Sequence, residues 1–287
     1  MAFCTACGKQ VPDTAKFCLS CGRPVGGTAA SPAVEKPPID YSIEGDNLQI
    51  LRIRLKPGQE IFAEAGRMVF KNPSVNWESK ASGDTLGAKI WGMVKRKLSG
   101  ESLFFTYFRS ASGGEVGFAG SYPGRIEGVP LEGGASFLVQ RDAFLAAEDS
   151  VGFSVAFVKK LGAGFFGGEG FILEKLTGPG TVFIHGGGDF VKFQLKPGET
   201  VQIDPGCIVG FDESVNYDIQ YVGSIKTAIF GGEGLFLATL TGPGRCIVQT
   251  MTLSRLRREL GGGRQGGEEK GPLGALGGLT DIFSSED

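Results

Sequence analysis

Apolar and polar residues alternate over short stretches through most of the chain, as in "ETVQID" from Glu199. These stretches are rich in Val, Ile and Phe and are bounded by Pro-Gly and Gly-Gly pairs. Such alternation between turn residues is typical of half-buried β-strands. The pattern predicts an all-β domain of many short strands over residues 39–260.

The strand pattern recurs along the chain. Three segments align without a gap: "LKPGQEIFAEAGRMVFKNPSVNWE" from Leu55, "LEGGASFLVQRDAFLAAEDSVGFS" from Leu131 and "LKPGETVQIDPGCIVGFDESVNYD" from Leu195. Each contains a Ser-Val pair followed two residues later by an aromatic residue. Because one copy is too small to bury its own apolar sheet face, we predict a β-sandwich of three internal repeats with pseudo-threefold symmetry.

Glycine is unusually frequent, at 48 of 287 residues, against roughly 7% on average. The stretch "FGGEGFILEKLTGPG" from Phe166 has the density of a phosphate-binding loop, but it returns as "FGGEGLFLATLTGPG" from Phe230. Neither copy is followed by the Lys-Ser or Lys-Thr pair of such a loop. We therefore interpret these glycines as turns between strands.

Four cysteines near the N-terminus form two Cys-x-x-Cys pairs: Cys4, Cys7, Cys18 and Cys21. Two intervening residues let both sulfurs of a pair reach one ion, and four thiolates complete a tetrahedral zinc site. Two disulfides are the alternative, but no signal peptide supports a secreted module. We predict a zinc ribbon over residues 1–25 that holds one structural Zn²⁺, with no open coordination position for catalysis.

Two regions lack the pattern of a packed core. Residues 26–38 are rich in Gly, Ala, Ser and Pro and are predicted to be a flexible linker. Residues 261–287 form a Gly-rich tail, predicted to be disordered, with a few apolar residues that could dock on a partner.

Residues 85–98, "TLGAKIWGMVKRKL", interrupt the β pattern with apolar residues four apart, as on one face of a helix. Basic residues lie beside that face, so the segment suits contact with anionic lipid. A helix packed across the opening of a sheet would show the same pattern. The residues predicted to touch a membrane are Lys89, Trp91, Lys95, Arg96 and Lys97. A second helix is predicted at residues 252–260.

The formal net charge is −2 and the isoelectric point is about 5.7. No global positive field is available to neutralise nucleic-acid phosphates, so we expect no nucleic acid as partner. No uncharged apolar run reaches the length of a membrane-spanning helix, and cysteines occupy the place of a signal peptide. We therefore expect a cytoplasmic protein.

Catalytic constellations are not evident. The single histidine, His185, lies in "FIHGGGDF", which we interpret as a turn at a strand end. Cys207 and Cys246 align with ordinary strand residues of the other copies, so neither is a candidate nucleophile. One glutamate per copy follows a glycine turn: Glu101, Glu169 and Glu233. Threefold symmetry would gather them into a ring that binds a cation or ligand; capping of hairpins is the structural alternative.

Residues 39–260 resemble the family named for altered inheritance of mitochondria. The resemblance rests on "LKPGQEIFAEAGRMVF", "KRKLSGESLFF" and the two glycine-rich stretches quoted above. It implies a β-sandwich similar to the tryptophan RNA-binding attenuation protein (TRAP-like), a likeness of fold that carries no RNA binding with it. For mitochondrial members it implies non-enzymatic support of inner-membrane organisation, and bacterial relatives with zinc ribbons are associated with membrane stress.

Together these observations predict a non-enzymatic scaffold or interaction protein. We expect it to self-associate and to bind protein partners or an anionic surface at the inner face of the membrane, in membrane organisation or stress. A small-ligand or cation-binding β module that uses the glutamate ring is the alternative. The other alternative is a nucleic-acid role of the ribbon, to which Lys9, Lys16 and Arg23 contribute few charges.

Overall fold

The computed structural model describes residues 2–3, 9–12, 18, 20, 37–81, 104–159, 171–221 and 236–261. The chain divides into two compact units, Met1–Pro38 and Ile39–Asp287. In the first unit, β1 (Ala2–Phe3) pairs antiparallel with β2 (Gln10–Val11). In the sequence, the first Cys-x-x-Cys pair lies between these two strands.

In its described residues, the second unit contains strands β3 to β20, followed by the helix α1. The first seven strands are β3 (Asp40–Glu44), β4 (Ile50–Leu55), β5 (Glu60–Glu64), β6 (Met68–Lys71), β7 (Asn76–Ala81), β8 (Phe104–Arg109) and β9 (Gly114–Ala119). The next six are β10 (Gly124–Leu131), β11 (Ser136–Gln140), β12 (Phe144–Glu148), β13 (Gly152–Lys159), β14 (Phe171–Thr177) and β15 (Gly180–Leu195). The last five are β16 (Thr200–Ile203), β17 (Ile208–Asp212), β18 (Asn216–Tyr221), β19 (Phe236–Thr241) and β20 (Gly244–Met251), followed by α1 (Leu253–Gly261).

Three consecutive stretches, here called modules 1, 2 and 3 (residues 50–119, 124–187 and 188–251), pair their strands in the same way. In module 1 the last strand, β9, pairs with β4 and β6, and β8 pairs with β5 and β7. Module 2 repeats this with β15 and β14, and module 3 with β20 and β19. The 16-residue β15 is shared, because it ends module 2 and begins module 3.

The turn that precedes the last strand has the same local structure in all three modules. Gly114, Gly180 and Gly244 have positive φ, and a Cβ on each would lie within 3 Å of the preceding Ser-Val pair. Beside each glycine a side-chain oxygen accepts a hydrogen bond from a backbone N–H of the last strand: Asn72 from Glu115, Glu148 from Thr181 and Asp212 from Arg245, at 2.7–2.9 Å. The Ser-Val pair found in the sequence therefore marks a place where only glycine fits the opposing chain.

Consecutive modules are joined by short antiparallel ladders. β5 of module 1 pairs with β12 of module 2, with Ala63 opposite Ala146. β11 of module 2 pairs with β17 of module 3, with Leu138 opposite Phe211. Large buried side chains fill the space behind these ladders, among them Phe62, Phe137, Phe144, Phe183 and Phe211.

The all-β fold agrees with the sequence analysis, and α1 lies where a closing helix was predicted. The repeated pairings favour the interpretation of internal repeats, and their pseudo-threefold symmetry stays a prediction. The predicted turn at His185 is wrong, since "HGGG" lies inside β15. The sequence signal misled because these glycines serve close packing: a Cβ on Gly187 would lie 2.3 Å from the Met251 carbonyl oxygen and 2.5 Å from the Tyr122 ring.

This packing generates a prediction about stability. Gly187→Ala should lower the free energy of unfolding by about 2–3 kcal/mol, because backbone and ring must both move to admit one methyl group. Gly133→Ala is the matched control, since a Cβ there meets nothing within 4 Å and the backbone has no positive φ. Chemical denaturation of both variants tests this, and equal stabilities would contradict the packing explanation.

Candidate functional site

The predicted zinc ligands are described in part. Cys18 is buried, and its Sγ accepts a hydrogen bond from the Ser20 backbone N–H at 3.4 Å. A sulfur that accepts from the amide two residues later is well placed to be a thiolate, because the bond stabilises its negative charge. This geometry fits a zinc ligand. Cys4, Cys7 and Cys21 lie outside the described residues.

The other predicted site residues also lie outside the described residues. These are the glutamates of the proposed ring, Glu101, Glu169 and Glu233, and the residues of the proposed membrane contact, Lys89, Trp91, Lys95, Arg96 and Lys97. The structure therefore leaves both proposals as predictions.

Within the described β domain, a set of titratable side chains on the strands of modules 1 and 2 and in the connections between them interact with one another. We call it the polar cluster, and its members are Glu64, Arg67, Tyr122, Arg141, Asp142, Glu174 and His185. Glu64 ends β5, the pair Arg141–Asp142 forms a 3₁₀ turn between β11 and β12, and Glu174 lies on β14. The β5–β12 ladder brings the first two elements together.

Arg67 and Glu64 form an ion pair at the edge of the polar cluster. The Arg67 Nε donates to Glu64 Oε2 at 2.7 Å, and the guanidinium also donates to the Ser121 hydroxyl. Burial raises the pKa of Glu64, and the neighbouring Arg67 works against that rise. The arginine therefore allows a carboxylate to remain in a largely desolvated position.

His185 is buried on β15, and its Nε2 lies 3.1 Å from the Tyr122 carbonyl oxygen. Since a carbonyl can only accept, Nε2 carries the proton and donates. Within the described part of the chain, Nδ1 has no hydrogen-bond partner. Burial lowers the pKa of His185 to about 4, helped by the positive charge of Arg67. The imidazole is therefore neutral at physiological pH and acts as a packed, hydrogen-bonded ring.

Glu174 is the unusual member of the polar cluster. Its side chain is fully buried, and Oε2 has no hydrogen-bond partner among the residues that the structure describes. Burial raises the pKa of Glu174 well above its ordinary value, and the negative charge of Glu64 adds to the rise. The matching strand positions in modules 1 and 3 carry Thr106 and Ala238, both buried and neutral. The strand pairing alone therefore does not require a carboxyl group here.

The polar cluster suits the retention of a proton better than the binding of a metal. Among the described residues, no three His, Cys, Asp or Glu side chains are arranged to hold an ion. Arg67 and Arg141 supply positive charge beside Glu64 and Asp142. With these two pairs compensated, a protonated Glu174 leaves the site close to neutral, as a buried position requires.

The polar cluster was missed in the sequence, although one signal for it exists. In "FILEKLT" from Phe171, a strand alternates its side chains, so Glu174 must share a face with Ile172 and Leu176. A charged residue between two apolar residues of one face indicates a buried polar position. Glu64 and Arg67 carry no comparable signal, because turn residues are commonly charged.

Three comparisons place the chain among known proteins. Residues 41–251 match the model of the family described as mitochondrial biogenesis AIM24, and residues 3–25 match that of a zinc-ribbon domain. An uncharacterized protein of Streptococcus pyogenes serotype M6 is 28% identical over 220 residues, which cover 76% of this chain and 86% of that protein. A Streptococcus pyogenes protein solved by X-ray crystallography in structural genomics has a TM-score of 0.63 at 24% identity, over 78% of this chain and 98% of that one. That crystal structure supports the fold alone.

The buried carboxyl group of Glu174 generates a prediction about pH. Because its pKa is raised in the folded state, folding binds a proton, and this group's contribution to stability falls as pH rises above the unfolded value of about 4.5. Glu174→Gln removes that dependence. The variant should gain stability relative to the parent as pH rises, by at most about 1.4 kcal/mol per pH unit.

Chemical denaturation at several pH values from about 5 to 8 measures this difference. Most proteins are at their most stable in this range, so the parent and the variant should both remain folded. Glu132→Gln, in an exposed turn, controls for the loss of one negative charge. A difference between Glu174→Gln and the parent that is the same at every pH would contradict the assignment of a protonated Glu174.

Proposed function

The chain belongs to the mitochondrial biogenesis AIM24 family, and from this premise we propose that it is a non-enzymatic scaffold that works at the inner surface of a membrane. The observation that carries the proposal is a contrast within the described β domain. The side chains of Glu174, His185 and Cys246 are buried, whereas two large apolar side chains of module 1 are exposed.

The buried groups argue against general acid, base or nucleophilic roles. His185 has a pKa of about 4 and donates its proton to a backbone carbonyl. Burial raises the pKa of the Cys246 thiol to about 12, so the nucleophilic thiolate is not formed at neutral pH. Gln249 is satisfied too: its Oε1 accepts from the Gly187 N–H at 2.7 Å, and its Nε2 donates to the Gly206 carbonyl at 2.9 Å.

The exposed apolar face supports binding. Val69 on β6 and Trp77 on β7 are each 58% exposed, and we call these two residues the open face. Among the described strands, both lie at the edge of a sheet, and sheet edges are common places for a partner to bind. An edge strand with exposed large apolar side chains is a common basis for protein association.

The membrane part of the proposal rests on residues 85–98. This segment follows β7 after three residues, and its basic residues suit anionic headgroups while its apolar residues suit the acyl boundary. Among the described residues, no helix is long and apolar enough to cross a membrane. Peripheral attachment through this segment is the mode of contact that we propose.

We further propose that the ribbon holds one structural zinc ion through Cys4, Cys7, Cys18 and Cys21. Cys18→Ser should abolish stoichiometric zinc binding, because three thiolates and water bind zinc more weakly than four thiolates. The metal content of the purified chain, measured by mass spectrometry, should fall from one equivalent to near zero. The melting transition of the β domain should not change, and Cys207→Ser is the control that should retain zinc. Retention of a full equivalent by Cys18→Ser would contradict the ligand assignment.

Membrane binding is tested by co-sedimentation of the zinc-loaded full chain with liposomes of anionic or neutral lipid. Changing Lys95, Arg96 and Lys97 to Glu should weaken binding to anionic liposomes roughly a hundredfold or more, since each basic residue near such a surface contributes about 1 kcal/mol. The parent should bind neutral liposomes poorly.

The matched control changes Lys56, Arg109 and Lys196 to Glu, which alters net charge equally at exposed positions of the β domain. Equal loss of binding in both variants would show a general charge effect. Failure of the parent to bind anionic liposomes would contradict the membrane role.

A further inference from the structure

Each of the two joints between modules buries one residue from the third strand of the following module. The equivalent residue of module 1, which no module precedes, is exposed. The third strand of every module has a bulge at the same place, occupied by Val69, Leu145 and Val209. At the joints formed by β5–β12 and β11–β17, Leu145 and Val209 are 0% exposed. Val69, on the matching strand of module 1, is 58% exposed, and among the described strands none pairs with the free side of β6.

The aromatic residue that follows each Ser-Val pair shows the same contrast. Phe153 of module 2 packs edge-to-face on Phe105 of module 1, with ring centroids 4.7 Å apart. Tyr217 of module 3 packs against a core cluster that includes residues of module 2. Trp77 of module 1 has no preceding module to cover it and is 58% exposed. The open face is therefore the surface that modules 2 and 3 use to contact the module before them.

The complementary strand is also present, and among the described strands none pairs with its free side. β16 of module 3 matches β5 and β11, the strands that form the two joints, but among the described strands it pairs only with β19. Its Gln202 is exposed, whereas the matching residues Phe62 and Leu138 are buried. The neighbouring Val201 is half-buried. Each chain thus carries both halves of a ladder that it forms twice internally.

β6 and β16 of one chain do not lie side by side. We propose that they pair between copies: β16 of one copy joins β6 of a second copy in an antiparallel ladder that also covers Val69 and Trp77. The register of the internal joints, transferred to these strands, places Val201 opposite Asn72, Gln202 opposite Lys71 and Ile203 opposite Phe70. The contact is head-to-tail, since two different surfaces meet.

The side chains indicate that this contact is reversible. Gln202 replaces a large apolar residue of the internal joints, which keeps the free edge of β16 compatible with water. Val69 and Trp77 remain apolar and supply the area that is buried on association. This inference rests on the proposed scaffold function, since each added copy brings another basic segment to the same surface and so increases avidity for lipid.

Sedimentation velocity of the zinc-loaded full chain over a range of concentrations is the first test. The parent should show concentration-dependent association. Val69→Asp and Trp77→Ser should each weaken it on the order of tenfold or more, because each removes a large apolar side chain from the contact. Val191→Asp is the matched control, because Val191 is an exposed strand valine outside the open face. A parent that is monomeric throughout, or association that Val69→Asp leaves unchanged, would overturn the proposal.

A crosslink tests the register and remains informative if the variants above lose stability. Lys71→Cys and Gln202→Cys are made in separate chains, mixed and oxidised, and linked peptides are identified by mass spectrometry, which separates them from products of the native cysteines. Directly opposed positions of a ladder place Cβ atoms about 4.5–5.5 Å apart, close enough for a disulfide.

The expected product is a 71–202 link between chains. A chain that carries both Lys71→Cys and Gln202→Cys tests for contact within one molecule. If this double variant links internally at high dilution while the mixture gives no interchain link, β6 and β16 meet within one chain and the proposal fails. Association and lipid binding are measured separately. A chain that associates as predicted without binding liposomes would refute the membrane role and leave this contact standing.

Discussion

The structure depends on the need of each module to cover apolar surface that it cannot bury alone. Six short strands form two small sheets whose apolar faces are too extensive for one module of this size. Covering them requires the next module to lie against them, with its third strand paired to the second strand of its predecessor. The shared β15 strengthens this arrangement, because one continuous strand is hydrogen-bonded in both module 2 and module 3.

Close packing explains several of the described glycines, among them Gly114, Gly180, Gly187 and Gly244, and it also explains where sequence analysis succeeded and failed. The Ser-Val pairs predicted three matching turns because the opposing glycine and the side-chain acceptor recur with them. The glycines after His185 were misinterpreted as a turn, because their cause is the approach of Tyr122 and Met251, residues distant in sequence. Local patterns identify positions that need glycine, but they do not distinguish a turn from a close contact with a distant segment.

The polar cluster shows a second limit of the same kind. The position of Glu174 within an apolar strand face indicates burial, yet nothing local indicates that Glu64 and the Arg141–Asp142 turn surround it. Arg141 and Asp142 belong to the same module as Glu174, whereas Glu64 is brought to them by the β5–β12 ladder, so the complete cluster exists only once modules 1 and 2 are joined. Thr106 and Ala238 occupy the matching positions in the other modules, where no such set of charges has been assembled. Sequence similarity among the modules therefore predicted their shared strand arrangement better than the features that distinguish one module from another.

The difference between the two internal joints and the open face has a physical consequence for function. Internal joints form at the high effective concentration imposed by a covalent chain, so even short ladders are permanent. The same ladder between separate chains must overcome the loss of translational and rotational freedom, and its stability then depends on protein concentration. A surface that concentrates the chains, such as a membrane contacted by residues 85–98, would shift that balance toward assembly. If β16 and β6 of separate copies pair as proposed, assembly of the chains would respond to their local concentration, as the proposed scaffold role requires.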